Sequence, residues 1–331
     1  MVTELTELFT RLEVADPVQT EGLQLFGVRW QPDRHLLYQT MEEALAAGSL
    51  KITEVSEGGS VPVLTVANTG DTMVLIIAGE QLIGAKQNRV VNATIMVAPK
   101  SETRIDVTCV ERGRWGYKSH QFDSSGSSSH YVLRRIISKS VRANLVAFRV
   151  RSADQSAVWE EVDRKLGAMG SVSPSAALEQ TYVDYQATLD RMLTNARVPA
   201  ECNGVVFAFG DRIAGMDLFD RPETLNKLLP KLVRAYGIDA AESTCRLGTD
   251  QGTKRRSRWP WKRSSKKTEG VSRQDVASWL HLAPQAHFER FPSAGLGDDV
   301  RIESGEMVGA GLVVEQQPVH VELFTESRQT T

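Results

Sequence analysis

The chain has 331 residues, 41% hydrophobic and 24% charged, a mix that excludes a mostly disordered or fibrous protein and suits one elaborated domain or two tightly joined ones. Its formal net charge of −2 hides an asymmetry: residues 254–267 (KRRSRWPWKRSSKK) hold eight basic residues and no acid, leaving 31 basic against 41 acidic residues elsewhere. No window approaches ~18 unbroken apolar residues, and the N-terminus lacks a basic region followed by an apolar stretch. Neither a membrane-spanning helix nor a standard secretion signal is therefore expected, and a cytoplasmic location is. Three cysteines without tight spacing exclude a disulfide scaffold and a Cys-based zinc knuckle.

In chain order, Leu5, Leu8, Phe9 and Leu12 fall at helical spacing within residues 3–12, and 23–30 reads as a strand. A short helix over 40–47 closes at Gly48. The β-branched runs at 50–55, 62–67, 72–78, 90–97 and 104–110, broken by Gly, Asn, Pro or Ser, read as consecutive antiparallel strands. Residues 119–130 (SHQFDSSGSSSH) read as a mobile Ser/Gly loop. Val132, Leu133, Ile136, Ile137 and Val141 mark one helix, and Asp154 or Ser152 caps a second over 155–167 that ends at Gly170. Ser173-Pro174 opens a third, to about residue 195. Residues 204–219 read strand-turn-strand. Asp220 with Glu223 suggests a capping box for a helix to about 236 that Pro230 kinks or splits. Ser272 caps a short helix, and 299–304, 307–315 and 318–325 close the chain as strands.

Strands, then helices, then strands, without βαβ alternation, give the expectation of a single α+β domain over 1–331. The antiparallel N- and C-terminal strands are expected to share a sheet, packed with a central group of helices. Residues 250–271 are expected to form a basic, flexible insertion loop. That loop can meet nucleic acid, with Trp259 and Trp261 stacking on bases, although one basic loop without a basic face is weak support for such a partner.

Residues 76–84 (IIAGEQLIG) and 207–215 (FAFGDRIAG) echo each other, and 305–309 (GEMVG) repeats them loosely. Each is either a plain hairpin turn or half of a shared cleft that would unite Glu80 with Asp211. The densest polar cluster is Gly84-Ala85-Lys86-Gln87-Asn88-Arg89. Four consecutive polar side chains do not fit a half-buried strand. Lys86 offers a point charge, Arg89 a planar fork, and Gln87 and Asn88 neutral hydrogen bonds, together the chemistry of anion recognition. A second cluster is Cys109-Val110-Glu111-Arg112-Gly113-Arg114-Trp115. Here Glu111 can act as a base or as an ion-pair partner, Arg114 can clamp an anion and Trp115 can stack on a ring. Cys109 is a nucleophile only if its pKa is lowered. His35, His120, His130, His281, His287 and His320 show no metal-ligand spacing, so no metal or cofactor is signalled.

GEQLIGAKQNR at 79–89, TCVERGRW at 108–115, SADQSAVWEEV at 152–162 and SPSAAL at 173–178 resemble the domain family associated with ADP-ribosylglycohydrolases and rhodanese-like phosphatases. The resemblance runs from about residue 20 to 325. It implies a setting of NAD and ADP-ribose handling, with no activity characterised. It also places the family's polar motif on Glu80, Lys86, Gln87, Asn88, Arg89, Glu111, Arg114 and Trp115. Where the family commonly has two glycines before the lysine, this chain has Gly84-Ala85.

The resulting expectation is an enzyme or processing factor acting on an ADP-ribose-like or other phosphorylated nucleotide derivative. Lys86, Arg89 and Arg114 would hold phosphate, with Gln87 and Asn88 beside them and Trp115 on a ring. Glu80 or Glu111 would be the acid or base. The alternative is a non-catalytic sensor of the same ligands that reports to partner enzymes of ADP-ribose handling.

Overall fold

The computed structural model describes residues 3–55, 62–114, 116–252 and 270–326, with the backbone alone for 245–252. Trp115 and the basic segment 254–267 lie outside the described residues.

The chain opens with α1 (Thr3–Thr10), β1 (Glu13–Thr20), β2 (Leu23–Arg29), β3 (Tyr38–Thr40) and α2 (Met41–Ala46). Eight strands follow: β4 (Leu50–Glu54), β5 (Val63–Asn68), β6 (Met73–Ile76), β7 (Glu80–Gly84), β8 (Arg89–Val91), β9 (Ile95–Val97), β10 (Ser101–Cys109) and β11 (Phe122–Ser128). The helical middle comprises α3 (Tyr131–Phe148), α4 (Gln155–Met169), α5 (Glu179–Asp184) and α6 (Gln186–Asn195). Then come β12 (Gly204–Phe209), β13 (Arg212–Phe219), α7 (Pro222–Gly252), α8 (Arg273–Leu280), β14 (His287–Pro292), β15 (Asp298–Glu303), β16 (Met307–Val314) and β17 (Gln317–Thr325).

The fold is α+β. Its centre is an antiparallel eight-stranded sheet in the order β1-β2-β12-β13-β17-β16-β15-β14, so the first two strands share a sheet with the C-terminal ones, whereas the strands expected over 50–110 lie in two other sheets. Both faces of this sheet are covered, and β12 shows how. Val205, Phe207 and Phe209 pack into the helical core with residues of α3–α7, while Val206 and Ala208 point the other way, into a second core with α1 and α8. Strand alternation thus distributes apolar side chains to two cores, which explains why GVVFAF is apolar without a break. A six-stranded sheet, β11-β7-β8-β10-β5-β4, and a three-stranded sheet, β3-β6-β9, enclose a third core around Ile52, Leu64, Val91 and Phe122. Among the described residues no helix is long and apolar enough to cross a membrane.

Several boundaries differ from the sequence reading. Residues 119–130 are not a loop: 122–128 form β11, paired with β7, and Ser127, Ser128, Ser129 and His130 are buried. The run 90–97 splits into β8 and β9, which belong to different sheets, and β3 pairs with β6 in parallel. The helix expected from Ser173 starts only at Glu179 and breaks between α5 and α6. Ser173 Oγ instead accepts from Ala177 N at 2.8 Å and closes a turn. Asp220 accepts from the Tyr38 hydroxyl rather than forming a capping box, because burial beside β3 gives it a stronger donor. Helix α7 continues through Pro230 to Gly252, well past 236 and into the segment expected as a loop. Pro230 is exposed, so the carbonyl it leaves unpaired sits on the solvent side, where water serves it.

Candidate functional site

Three groups of polar side chains lie near the β11–β7 edge of the six-stranded sheet, one at the Gly84 end of β7, one at its Glu80 end and one at β11 between them. The first is where the two polar motifs meet. Glu111 receives Arg114 in a two-pronged pair, Nε to Oε1 at 2.9 Å and Nη2 to Oε2 at 2.7 Å. It also accepts from Ser175 Oγ at 2.8 Å and from the Asn88 amide, 23 residues away in sequence, at 3.1 Å. Arg114 then donates to the carbonyls of Gly84, Ala85 and Gly116 and to Asn88 Oδ1. Every face of the guanidinium fork is therefore engaged with protein. Burial alone would raise the Glu111 carboxyl, but Arg114, Ser175 and the Asn88 amide outweigh it and hold it below the usual carboxylate range.

The glycines of these motifs serve chain crossings. A side chain at Gly84 would meet Ser119 Oγ at 2.6 Å and the Gln121 carbonyl at 2.7 Å, and one at Gly113 would meet Ser175 Cα at 2.9 Å. The neighbour of Gly84 is thus the chain itself. Ala85 sits at φ 38, a left-handed conformation that favours glycine.

Gln87 and Arg89 turn inward. Arg89 Nη1 donates to Gln87 Oε1 at 2.7 Å, its Nη2 lies 4.0 Å from Glu54, and both side chains are buried. Cys109 Sγ donates to Gln87 Oε1, and burial pushes its thiol up, which makes it packing rather than a nucleophile. Lys86 is half-buried, with its ammonium 4.9 Å from the centre of the exposed Tyr117 ring. Lys118 follows, exposed, its amide bonded to the Ala85 carbonyl.

The second group surrounds Glu80, which is 1% exposed. Lys231 from α7 reaches Glu80 Oε1 at 2.6 Å and also contacts Glu42, and Ser124 Oγ lies 3.2 Å from both carboxylates. Burial raises the Glu80 carboxyl to about 7: the Lys231 charge opposes this and Glu42 reinforces it. Burial works against the Lys231 ammonium, but Glu80 and Glu42 outweigh it and hold it above its usual value. One ammonium between two carboxylates leaves the more buried acid favouring its proton. Asp211, which a shared cleft would have set opposite Glu80, is exposed at the β12–β13 turn as in a plain hairpin, and no described contact joins the two.

The third group was not singled out from the sequence. A cleft of about 300 Å³ is lined by Ser125–Ser127, Glu179, Tyr182, Gln186 and Arg234. It exists because β11 bulges: Ser124 pairs with Leu82 and Ser128 with Glu80, so three residues of β11 loop out between registers. Serine hydroxyls satisfy the bulge, Ser124 Oγ accepting from Gly126 N and Ser125 Oγ from Ser127 N, each at 3.1 Å. The serine run that reads as a loop is thus the stitching of a bulged strand.

Glu179 begins α5, and the motif crossing places it. Gly113 N bonds to the Ser175 carbonyl, and Leu178 N to the Val110 carbonyl. Burial raises the Glu179 carboxyl to about 7 against the opposing charges of Arg234 and Lys118, and no described residue hydrogen-bonds to its Oε2. Its one sequence signal was position, directly after SPSAAL.

Chemically, the surroundings of the β11–β7 edge hold a lysine-aromatic rim, two carboxyls raised to about 7, and a small cleft with an arginine. Among the described residues no group of three or more His, Cys, Asp or Glu is placed to hold a metal ion. The family model described as the ARG and Rhodanese-Phosphatase-superfamily-associated Protein domain matches residues 11–324, and the chain belongs to that family. Neither a curated protein nor a solved structure matches the chain.

Proposed function

With membership of that family as the premise, we propose that the protein is an enzyme or processing factor acting on an ADP-ribose-like or other phosphorylated nucleotide derivative. One observation carries this reading: the two polar motifs lock together and hold Lys86, Tyr117 and Lys118 at one rim. Lysines suit phosphate as point charges, and an exposed aromatic ring suits a nucleobase. Trp115, in the same short segment, is proposed as a second stacking group. Glu80, with a carboxyl near 7 beside a charged lysine, is the acid/base candidate of the original set. Glu111, Arg114 and Arg89, bound to protein groups, act on ligand only through the backbone they hold, and Gln87 and Asn88 belong to the same support.

That engagement also favours a second reading, a binding module that senses the same ligands without turning them over. Calorimetric titration of ADP-ribose, its phosphorylated forms and NAD tests both. The proposal expects saturable binding that weakens at least tenfold in Lys86→Gln, with product formed by the wild type and lost in Glu80→Gln. Binding without product selects the module. No binding by the folded protein to any of these ligands rejects both readings.

A further inference from the structure

We infer that the cleft between the β11 bulge and helices α5 and α7 binds a phosphorylated, ribose-sized group, with Arg234 holding the phosphate and Glu179 donating a proton to it in a hydrogen bond. This inference rests on the proposed ligand class and deepens it by locating the part of the ligand that is enclosed.

Size comes first. About 300 Å³ is at the small end of ligand pockets and accommodates a sugar phosphate rather than a whole ADP-ribose. The remainder of a nucleotide derivative would lie over the adjoining rim, since Lys118 is close enough for its charge to act on Glu179.

Charge comes second. Arg234, which lines the cleft, gives Nη2 to Asp190 at 2.5 Å, and Asp190 is 48% exposed, so water screens its counter-charge. A planar fork on a cleft wall is suited to phosphate.

The third point is the unsatisfied oxygen. Buried polar atoms without partners are uncommon and call for a reason; Glu179 lines the cleft, and its Oε2, turned away from solvent, has no described partner that would stabilise the ionised form. The charged and titratable groups facing Glu179 are Arg234 from α7, Lys118 from the segment after the motif crossing, and Tyr182 on its own helix; the β11 bulge contributes only serines and a glycine. An ionised Glu179 would repel phosphate, whereas a protonated one donates a hydrogen bond to a phosphate oxygen. With its carboxyl near 7, the exchange falls in the neutral range.

The test is calorimetric titration of ribose 5-phosphate, and separately of inorganic phosphate, into wild type, Glu179→Gln, Arg234→Lys and Arg234→Gln at pH 5.5, 7 and 8.5, with thermal unfolding confirming that each variant is folded. Wild-type affinity for ribose 5-phosphate should fall at least tenfold from pH 5.5 to 8.5. Glu179→Gln, which keeps a donor at every pH, should bind with a markedly flatter profile; it also subtracts the ligand's own second ionisation near ~6. Both Arg234 variants should bind at least tenfold more weakly at pH 5.5. The cleft assignment is overturned if the folded wild type binds neither probe, if all proteins give the same profile, or if inorganic phosphate binds as tightly as the sugar phosphate. If ADP-ribose binds and only Lys86→Gln or Lys118→Gln weakens it, the cleft fails while the broader function stands. If ribose 5-phosphate binds as expected and no nucleotide derivative does, the cleft stands and the broader function fails.

Discussion

Asp217 and Glu179 are both carboxylates removed from water, Asp217 wholly and Glu179 in part, and they end in opposite states. Asp217 lies fully buried on β13 of the large sheet, where Arg134 grips both its oxygens at 2.5 and 3.0 Å and also reaches Glu322 at 2.8 Å; Tyr236 and His320 add further contacts. Burial pushes its carboxyl up, but Arg134 and His320 outweigh burial and hold it well below the usual range. Glu179, at the cleft, has no described hydrogen bond to Oε2 and feels its cations only at a distance, so burial wins. Burial alone does not mark a reactive acid. What separates the two regions is whether the protein has completed the hydrogen-bonding shell, which makes a structural charge, or left it incomplete, which lets burial raise the acid.

The sharpest way to break this comparison is to open the closed region. Arg134→Met should cost about 3–5 kcal/mol in chemical denaturation, because Asp217 and Glu322 lose their shared cation inside the core. Glu179→Gln, measured near pH 4 where the carboxyl is largely protonated in the folded and the unfolded chain alike, should leave stability within about 0.5 kcal/mol of wild type. Similar losses in both would erase the distinction.

Glu80 gives the next effect, through pH. Its folded carboxyl near 7 lies above the unfolded value, so its contribution to stability is full below about 4.5 and is lost as pH rises to about 7. Glu80→Gln lacks this loss and should gain on wild type by up to about 3 kcal/mol between pH 4.5 and 7.5, read from denaturation midpoints. A constant difference across that range would mean that Glu80 is ionised throughout.

At the motif crossing, Glu111→Gln removes the charge that Arg114 pairs with and should cost about 2 kcal/mol. It should also weaken hydrogen-exchange protection of Leu178, which the crossing fixes. Protection that stays unchanged would sever the motif from the cleft. The smallest effect belongs to Asp154→Ala, which removes the cap accepting from Ser156 and Ala157 at the start of α4 and should cost about 1 kcal/mol.

Much of the fold was legible because local rules acted alone. Asp154 and Gly170 bound α4, Ser272 caps α8, and the spacing of Leu133, Ile137 and Val141 marks the buried face of α3. Sequence reasoning failed where tertiary contacts outvoted local preference. The serines of β11 read as a loop because their hydroxyls bond to a bulge whose existence depends on the distant strand β7. Asp220 read as a cap because nothing local announces Tyr38. For the site, the motifs showed which segments meet, since clustered charge is visible in one dimension. They could not show that Glu111 and Arg114 would saturate each other, or that the open carboxyl would stand one residue beyond SPSAAL. Saturation is a property of geometry and has no one-dimensional signature.

The most direct measurement is carbon-13 NMR of the side-chain carboxyls across pH 4 to 9 in glutamate-labelled protein, with Glu179→Gln and Glu111→Gln used to assign the resonances. The account predicts that Glu179 titrates near 7 while Glu111 titrates below the ordinary glutamate range. A Glu179 resonance titrating at about 4.5 or below would contradict the claim that an open shell, rather than burial, sets this acid apart.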